Sequence, residues 1–158
     1  MKKIITMVMA LFIIGFPLLA HSPEKIEKKP IYDIIRATEP EPFEVFECTA
    51  YDLSVQSCGK SMEHPAFGIT ASGYSLRNHS RENSMAIAVD PSVIPLGSEI
   101  LIVFENEKHS KYTGIYKAVD TGGAIKGNRI DIFFGDHGES VSEEAIQFGR
   151  AHAKVYRI

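Results

Sequence analysis

The most constraining feature of this sequence is an internal repeat, in which residues 88–104 align with residues 118–134 at an offset of 30 without a gap. Seven of the 17 aligned positions are identical, whereas unrelated segments of average composition would share about one. Each copy reads as a strand, an aspartate at the strand end (Asp90 or Asp120), a turn, a glycine and a second strand. Two such units predict a barrel with approximate two-fold symmetry.

The chain from residue 43 onwards consists of short runs of β-branched and aromatic residues, separated by Gly, Pro, Asn and Asp. One helix is predicted within 140–149, with Ser140 and Glu143 as a capping box and Gly149 at its end. This pattern predicts a mainly β protein, a compact barrel with one or two short helices. The predicted strands are 44–51, 86–89, 99–104, 113–119, 129–134 and 153–158.

The first 42 residues differ from the rest in composition. Lys2 and Lys3 precede the apolar run 4–20, an arrangement typical of a secretory signal cleaved after Ala20, with an uncleaved membrane anchor as the alternative. Residues 21–42 contain four of the eight prolines, mixed with Glu and Lys, which indicates an extended tether. We therefore expect an exported protein with one domain at 43–158, and membrane contact only through residues 4–20 if the signal is retained.

The charge of the domain argues against nucleic acid as a partner. The whole chain has a net charge of −3, and residues 43–158 contain 11 basic and 15 acidic residues, a net of −4. A nucleic-acid-binding domain normally carries a basic surface that displaces counterions from phosphates.

Cys48 and Cys58 are the two cysteines of the chain. Outside the cytoplasm they could form a disulfide, which would stabilise the fold by about 2–3 kcal/mol, and two packed free thiols are the alternative. No histidine or acid stands at zinc-site spacing beside them, so we expect no metal and no other cofactor.

Asp131 is the first candidate for chemistry because it breaks the repeat, where the equivalent residue is Leu101. The two-residue period of a strand places it on the face opposite Ile130 and Ile132, and aspartate is uncommon in strands. Apolar neighbours would raise its pKa and keep a proton available, whereas a close Arg129 would lower the pKa. A solvated aspartate paired with that arginine is the structural alternative.

Two further carboxylates follow predicted strands. Asp120 precedes Gly122 and Gly123, where backbone N–H groups could hold a carboxylate or a substrate oxygen, and a capped Asx turn is the alternative. Asp90 precedes Pro91, which is typical of an ordinary turn.

Five other side chains are candidates for substrate binding. Lys126 and Arg129 could meet acidic groups, although such residues are often merely exposed. Tyr51 could stack on a sugar ring, although packing is the commoner use of tyrosine. Thr70 and Ser72 supply hydroxyls, and no base near them in the sequence would make either a nucleophile.

Six motifs follow one another along the chain, namely Thr49-Ala50-Tyr51, His64–Gly73, Ile87–Pro91, Ile94–Gly97, Ala118–Asp131 and Phe148-Gly149-Arg150. Together they resemble the 3D domain family, which is named for three aspartates; here these would be Asp90, Asp120 and Asp131. The resemblance covers about residues 45–158, and the family includes the catalytic barrel of lytic transglycosylase A and cell-wall proteins of the stationary-phase-survival type.

The resemblance implies a six-stranded double-psi β-barrel that acts on the glycan strands of peptidoglycan, and we expect the protein to be a monomer. It also implies that Asp131 is the general acid, with Asp120 and Asp90 lining the same groove. A lytic transglycosylase can work with one carboxylate, which protonates the oxygen between N-acetylmuramic acid and N-acetylglucosamine and then deprotonates the C6 hydroxyl to form a 1,6-anhydro ring.

Two other functions fit parts of the same sequence. An open groove could bind cell-wall glycan without cutting it. Asp120-Thr121-Gly122 also matches the signature of aspartic proteases, in which two chains would each supply one aspartate. The Gly123–Asp131 segment that follows fits the 3D pattern better than the protease pattern.

Overall fold

Six β-strands close into a barrel in the computed structural model, which describes residues 44–158. The predicted signal and tether lie outside these residues. The elements in chain order are β1 (Glu44–Tyr51), α1 (Val55–Cys58), α2 (Arg81–Ser84), β2 (Ala86–Ala88), β3 (Glu99–Val103), a 3-10 turn (Ser110–Tyr112), β4 (Gly114–Asp120), β5 (Arg129–Phe133), α3 (Glu143–Phe148) and β6 (Ala151–Arg157). The predicted mainly β fold with a closed six-stranded barrel is confirmed.

The strand order around the barrel is β1-β5-β2-β4-β3-β6, with β6 returning to pair with β1. Two of the six pairings are parallel, β1 with β5 and β2 with β4, and the other four are antiparallel. A parallel pair cannot be joined by a tight hairpin, so the segments between these strands cross over the barrel and bring distant parts of the sequence side by side.

The internal repeat corresponds to β2 with β3 in the first copy and β4 with β5 in the second. The second strand of each copy pairs with the first strand of the other copy, β5 with β2 and β3 with β4. The two first strands, β2 and β4, pair with each other in parallel. This exchange of strands makes the order β5-β2-β4-β3 symmetric and places the ends of β2 and β4 side by side.

The interior of the barrel is apolar, because each strand turns alternate side chains inward. Phe46, Ile87, Ile132 and Tyr116 are among its fully buried side chains. Helix α3 contributes Ala145 and Phe148 to this core, and Phe148 makes edge-to-face or tilted contacts with neighbouring rings. The rings around Phe148 are those of Phe104, His109, Tyr112 and Phe134.

A second apolar cluster lies on the outside of the barrel. The long segment between β1 and β2 places Leu53, Phe67 and Leu76 over outward-facing residues of the strands, among them Ala86 and Phe133. This segment therefore shields part of the outer face of β5, the face that carries Asp131, from solvent.

The helices differ from the sequence prediction in number and in one boundary. Helix α3 begins after Ser142, whose side chain accepts from the backbone N–H of Ala145, so the predicted capping box from Ser140 does not form. Gly149 ends the helix as predicted. Helices α1 and α2 contain four residues each, too few to produce a recognisable apolar period.

The predicted disulfide is wrong, because both cysteines are free thiols. Cys48 lies on the inward face of β1 and is fully buried in the core. Cys58 ends α1, and its thiol donates to the carbonyl oxygen of Leu53 at 3.2 Å. One cysteine therefore packs inside the barrel, while the thiol of the other is bound to the backbone just before its own helix. Between residues 44 and 158, no helix is long and apolar enough to span a membrane.

Candidate functional site

The outer face of the parallel pair β1–β5 carries three cross-strand contacts of different chemistry. In register along the two strands, Glu47 stands opposite Arg129, Thr49 opposite Asp131 and Tyr51 opposite Phe133. The first pair is an ion pair of 2.8 Å, the second a hydrogen bond and the third a tilted ring contact with centroids 5.4 Å apart. Asp131 is thus placed between an ion pair and an aromatic contact.

Asp131 is half-buried and has one side-chain hydrogen bond to the part of the chain that the structure describes, accepted by Oδ1 from the hydroxyl of Thr49 at 2.7 Å. Burial raises the pKa of this carboxyl above its usual value, and the charge of Asp120 acts in the same direction. The hydrogen bond from Thr49 and the charge of Arg129 oppose this rise without cancelling it. A carboxyl of this kind holds its proton to a higher pH than an exposed aspartate and can serve as a general acid.

Asp120 and Asp131 approach from the two strands that flank β2. Ala88 of β2 is in register with Asp120 on one side and with Asp131 on the other. Oδ1 of Asp120 accepts from the backbone N–H groups of Ala71 at 2.9 Å and Thr121 at 2.8 Å. Asp120 therefore accepts from the first residue of the following turn and connects the segment around residue 71 to the end of β4, without the bond from Gly122 that an Asx turn would require.

Thr70 and Ser72 lie in that tied segment, with their hydroxyl oxygens 3.1 Å apart. Thr70 is buried, and its hydroxyl donates to the carbonyl of Tyr74 at 3.0 Å, which shapes the loop. Ser72 is exposed, and its backbone N–H donates to the carbonyl of Val119 at 3.0 Å. Of the two predicted hydroxyls, Ser72 is the one that solvent or a ligand can reach.

The hydroxyl of Tyr51 is buried and has no hydrogen-bond partner among the described residues. Burial raises the pKa of this phenol well above its usual value, and the charges of Asp120 and Asp131 raise it further. Tyr51 thus remains neutral and can donate a hydrogen bond beside both carboxylates. A buried hydroxyl without a partner costs about 1–3 kcal/mol, so this group is suited to bind a water molecule or a ligand oxygen.

Asp90 has a different role from the other two aspartates. Its Oδ2 accepts from the backbone N–H of Gly127 at 2.8 Å, and its Oδ1 accepts from the N–H and hydroxyl of Ser92. These hydrogen bonds lower the pKa of Asp90 to about 2, with the bond from Gly127 contributing most. Asp90 therefore joins the turn of the first repeat to the turn of the second as an acceptor that is ionised at neutral pH.

The glycine turn after Asp120 contains two positions of unlike character. A Cβ on Gly122 would lie 2.6 Å from Cγ1 of Ile125, whereas nothing lies within 4 Å of the corresponding position on Gly123. Gly123 is exposed, as is Lys126 further along the turn. Arg129 is held by Glu47 and by the carbonyl of Ala124, which accepts from Nη1 at 3.1 Å.

A cavity of about 710 Å³ lies apart from these residues, between α2 and the segment that leads into α3. It is lined by His79, Glu82, Asp136, His137 and neighbouring polar residues, and by none of the predicted site residues. Across residues 44–158, no group of three or more His, Cys, Asp and Glu side chains could hold a metal ion.

Sequence reasoning missed three residues around Asp131. Thr49 and Arg150 appear only as parts of the motifs of the sequence resemblance, and Glu47 is not singled out. Arg150 donates from Nη1 to Oε2 of Glu47 at 2.9 Å, while Nη2 of Arg129 forms an ion pair with Oε1 of the same carboxylate. The available signal was the two-residue period Glu47, Thr49, Tyr51, but its meaning depends on the parallel register with β5.

Comparison with known proteins gives consistent results. Residues 85–158 match the 3D domain family. In Bacillus subtilis (strain 168), YabE, which is named for cell wall shaping, is 44% identical over 86 residues, covering 54% of this chain and 17% of YabE. The cell wall-binding protein YocH of the same organism is 48% identical over 66 residues, covering 42% of this chain and 20% of YocH. The chain thus spans a fifth or less of the length of these two relatives.

Among solved structures, MltA from Neisseria gonorrhoeae is 28% identical, with a TM-score of 0.45, over 56% of this chain and 21% of its own. The segment matched by the family contains Asp90, Asp120 and Asp131, the three aspartates on which the sequence resemblance rests. Residues 85–158 of this chain are therefore similar to the 3D domain family.

Proposed function

We propose that this chain is an exported cell-wall protein that cleaves the glycan strands of peptidoglycan as a lytic transglycosylase, with Asp131 as the general acid. The observation that carries the proposal is the setting of Asp131, a half-buried carboxyl with a raised pKa and one neutral hydrogen-bond donor, Thr49. The match to the 3D domain and the names of YabE and YocH support a role in the cell wall.

The reaction uses the two protonation states of Asp131 in turn. In its protonated form the carboxyl gives its proton to the oxygen between N-acetylmuramic acid and N-acetylglucosamine as the bond to the muramic acid C1 breaks. The carboxylate then takes the proton of the muramic acid C6 hydroxyl, whose oxygen bonds to C1 and closes the 1,6-anhydro ring. The charge of Asp120 favours the oxocarbenium-like transition state, and Tyr51 and Ser72 offer hydrogen bonds to the sugar.

The experiment compares the 158-residue chain with Asp131→Asn on purified peptidoglycan, with the released fragments identified by mass spectrometry. Anhydro-muropeptides are expected from the wild type and not from Asp131→Asn. Glu99→Gln is the matched control, since Glu99 is an exposed carboxylate on β3 at the repeat position equivalent to Arg129. Its products should equal those of the wild type. Fragments with reducing ends would contradict the transglycosylase reaction.

A glycan-binding module without activity is the second candidate, and the similarity to a protein named for cell wall binding favours it. The two candidates separate in one sedimentation assay run beside the cleavage assay. If the wild type and Asp131→Asn both sediment with peptidoglycan and neither releases fragments, the chain binds without cutting.

A further inference from the structure

Arg129 and Asp131 stand two residues apart on the same face of β5, yet no ion pair joins them among the described residues. A guanidinium beside a carboxylate typically lowers the pKa of the acid by about 1–3 units. A free Arg129 could reach Asp131 and form such a pair. The carboxyl of Asp131 would then lose its proton at a lower pH. Whatever holds Arg129 elsewhere therefore decides whether Asp131 can act as an acid.

Two contacts hold the guanidinium of Arg129. Nη2 forms an ion pair with Oε1 of Glu47 at 2.8 Å, and Nη1 donates to the carbonyl oxygen of Ala124 at 3.1 Å. Glu47 is held in turn by Arg150, which binds its other carboxylate oxygen at 2.9 Å. The side chains of Arg129 and Glu47 are 35% and 22% exposed, so the pair is partly shielded from water and from screening by salt.

We propose that Glu47 is a positioning residue for Asp131, because it binds Arg129 in an ion pair and so prevents that arginine from pairing with the acid. The proposal rests on the function proposed above only in taking Asp131 as the acid. Glu47 on β1 and Asp131 on β5 thus compete for the guanidinium of Arg129.

The charges around both carboxylates agree with this competition. Burial works against ionisation of Glu47, but the bonds and charges of Arg150 and Arg129 outweigh it and lower the pKa of Glu47. The pKa of Asp131 is raised by burial, so the pKa values of the two carboxylates are shifted in opposite directions, and Glu47 is the one that its arginine partners favour in the ionised form.

The other titratable groups that act on Asp131 come from neighbouring strands. Asp120 on β4 opposes its ionisation. From β1, the core-facing Cys48 and the phenol of Tyr51 both interact with its charge, and both have raised pKa values, so they remain neutral. Strand β2 contributes only the methyl group of Ala88 in register with Asp131. Arg129 is thus the one cation whose position can change the balance at Asp131 among the groups that act on it.

The test follows the side-chain carboxyl carbon of Asp131 by ¹³C NMR during a pH titration of the 158-residue chain. In Glu47→Gln, which keeps the shape of the side chain and removes its charge, the pKa of Asp131 should fall by about one unit or more. Glu44→Gln is the matched control, since Glu44 lies on the same strand and pairs with Arg157 instead. It should leave the pKa of Asp131 within about 0.2 units of the wild type.

A double-mutant cycle separates release of Arg129 from the simple loss of a nearby charge. In an Arg129→Gln background, Glu47→Gln should move the pKa of Asp131 by less than half as much as in the wild type. An unchanged or higher pKa in Glu47→Gln would overturn the proposal, as would an equal fall in both backgrounds. The titration needs no substrate, so its result stands even if the cleavage assay shows no activity.

Discussion

Thr49 provides the sharpest test of how the site controls Asp131, because its hydroxyl is the single side-chain donor to that carboxyl within residues 44–158, at 2.7 Å. Thr49→Val keeps the shape of the side chain and removes the donor. A hydrogen bond to a charged group is worth about 1.5–3 kcal/mol and one between neutral groups about 0.5–1.5 kcal/mol. The ionised form of Asp131 therefore loses about 1–1.5 kcal/mol more than the protonated form.

At about 1.36 kcal/mol per pKa unit, this difference predicts that Thr49→Val raises the pKa of Asp131 by about one unit. The measurement is the same ¹³C titration, with Thr49→Ser as a control that retains the hydroxyl and should stay near the wild type. If the chain cleaves glycan, the alkaline limb of its pH–rate profile should shift to higher pH by the same amount. A pKa that stays constant or falls would refute the assignment of Thr49 as a donor to the ionised carboxylate.

The remaining predictions concern stability. In Asp131→Asn, the thermal midpoint should rise at neutral pH, because the raised pKa means that ionisation of Asp131 costs folding free energy. This gain should vanish below about pH 4, where the wild-type carboxyl is protonated in both the folded and the unfolded chain. Asp90→Asn should show the opposite sign, since a pKa of about 2 means that its ionised form stabilises the fold; the loss should shrink as the pH falls from about 4 towards 2 in acid-unfolding curves. Gly122→Ala should lower the free energy of unfolding, measured by urea denaturation, by about 1–3 kcal/mol, because its Cβ would lie 2.6 Å from Ile125. Gly123→Ala should have little effect, and equal values for the two variants would contradict the packing argument.

The barrel could be predicted from the sequence because its strands are local and its repeat is visible. The predicted strand 44–51 agrees with β1, and the other five strands agree to within about two residues at each end. The two-residue period also placed Asp131 correctly on the face opposite the core residues Ile130 and Ile132. These inferences need only the pattern within each segment.

The surroundings of Asp131 could not be predicted, because they depend on pairing between distant strands. Thr49 and Asp131 are 82 residues apart, and a shift of one residue in the register would turn the partner away from the acid. The fate of Arg129 illustrates the same limit. Its sequence position suggests a partner on its own strand, Asp131, whereas the parallel register supplies Glu47. The disulfide prediction was wrong for a related reason, because the spacing of ten residues between the cysteines does not reveal that Cys48 faces the core.

The arrangement of Asp120 and Asp131 bears on which reaction the site could perform. Each lies one strand away from Ala88, so their Cα atoms are about 10 Å apart at the usual strand spacing. This spacing alone would also allow an inverting hydrolase, whose two carboxyl groups are about 6.5–9.5 Å apart with a water molecule between sugar and base.

The hydrogen bonds of Asp120 favour the transglycosylase. Its Oδ1 already accepts from the backbone N–H groups of Ala71 and Thr121, which fix the carboxylate to the loop and to its own turn. Its charge raises the pKa of Asp131, as an electrostatic neighbour should. We therefore expect Asp120→Asn to lower the pKa of Asp131, and cleavage in ¹⁸O-labelled water to leave the products unlabelled. Incorporation of ¹⁸O at the muramic acid C1 would instead show hydrolysis by water and contradict the transglycosylase reaction, because a ring closed by the sugar's own hydroxyl takes no oxygen from solvent.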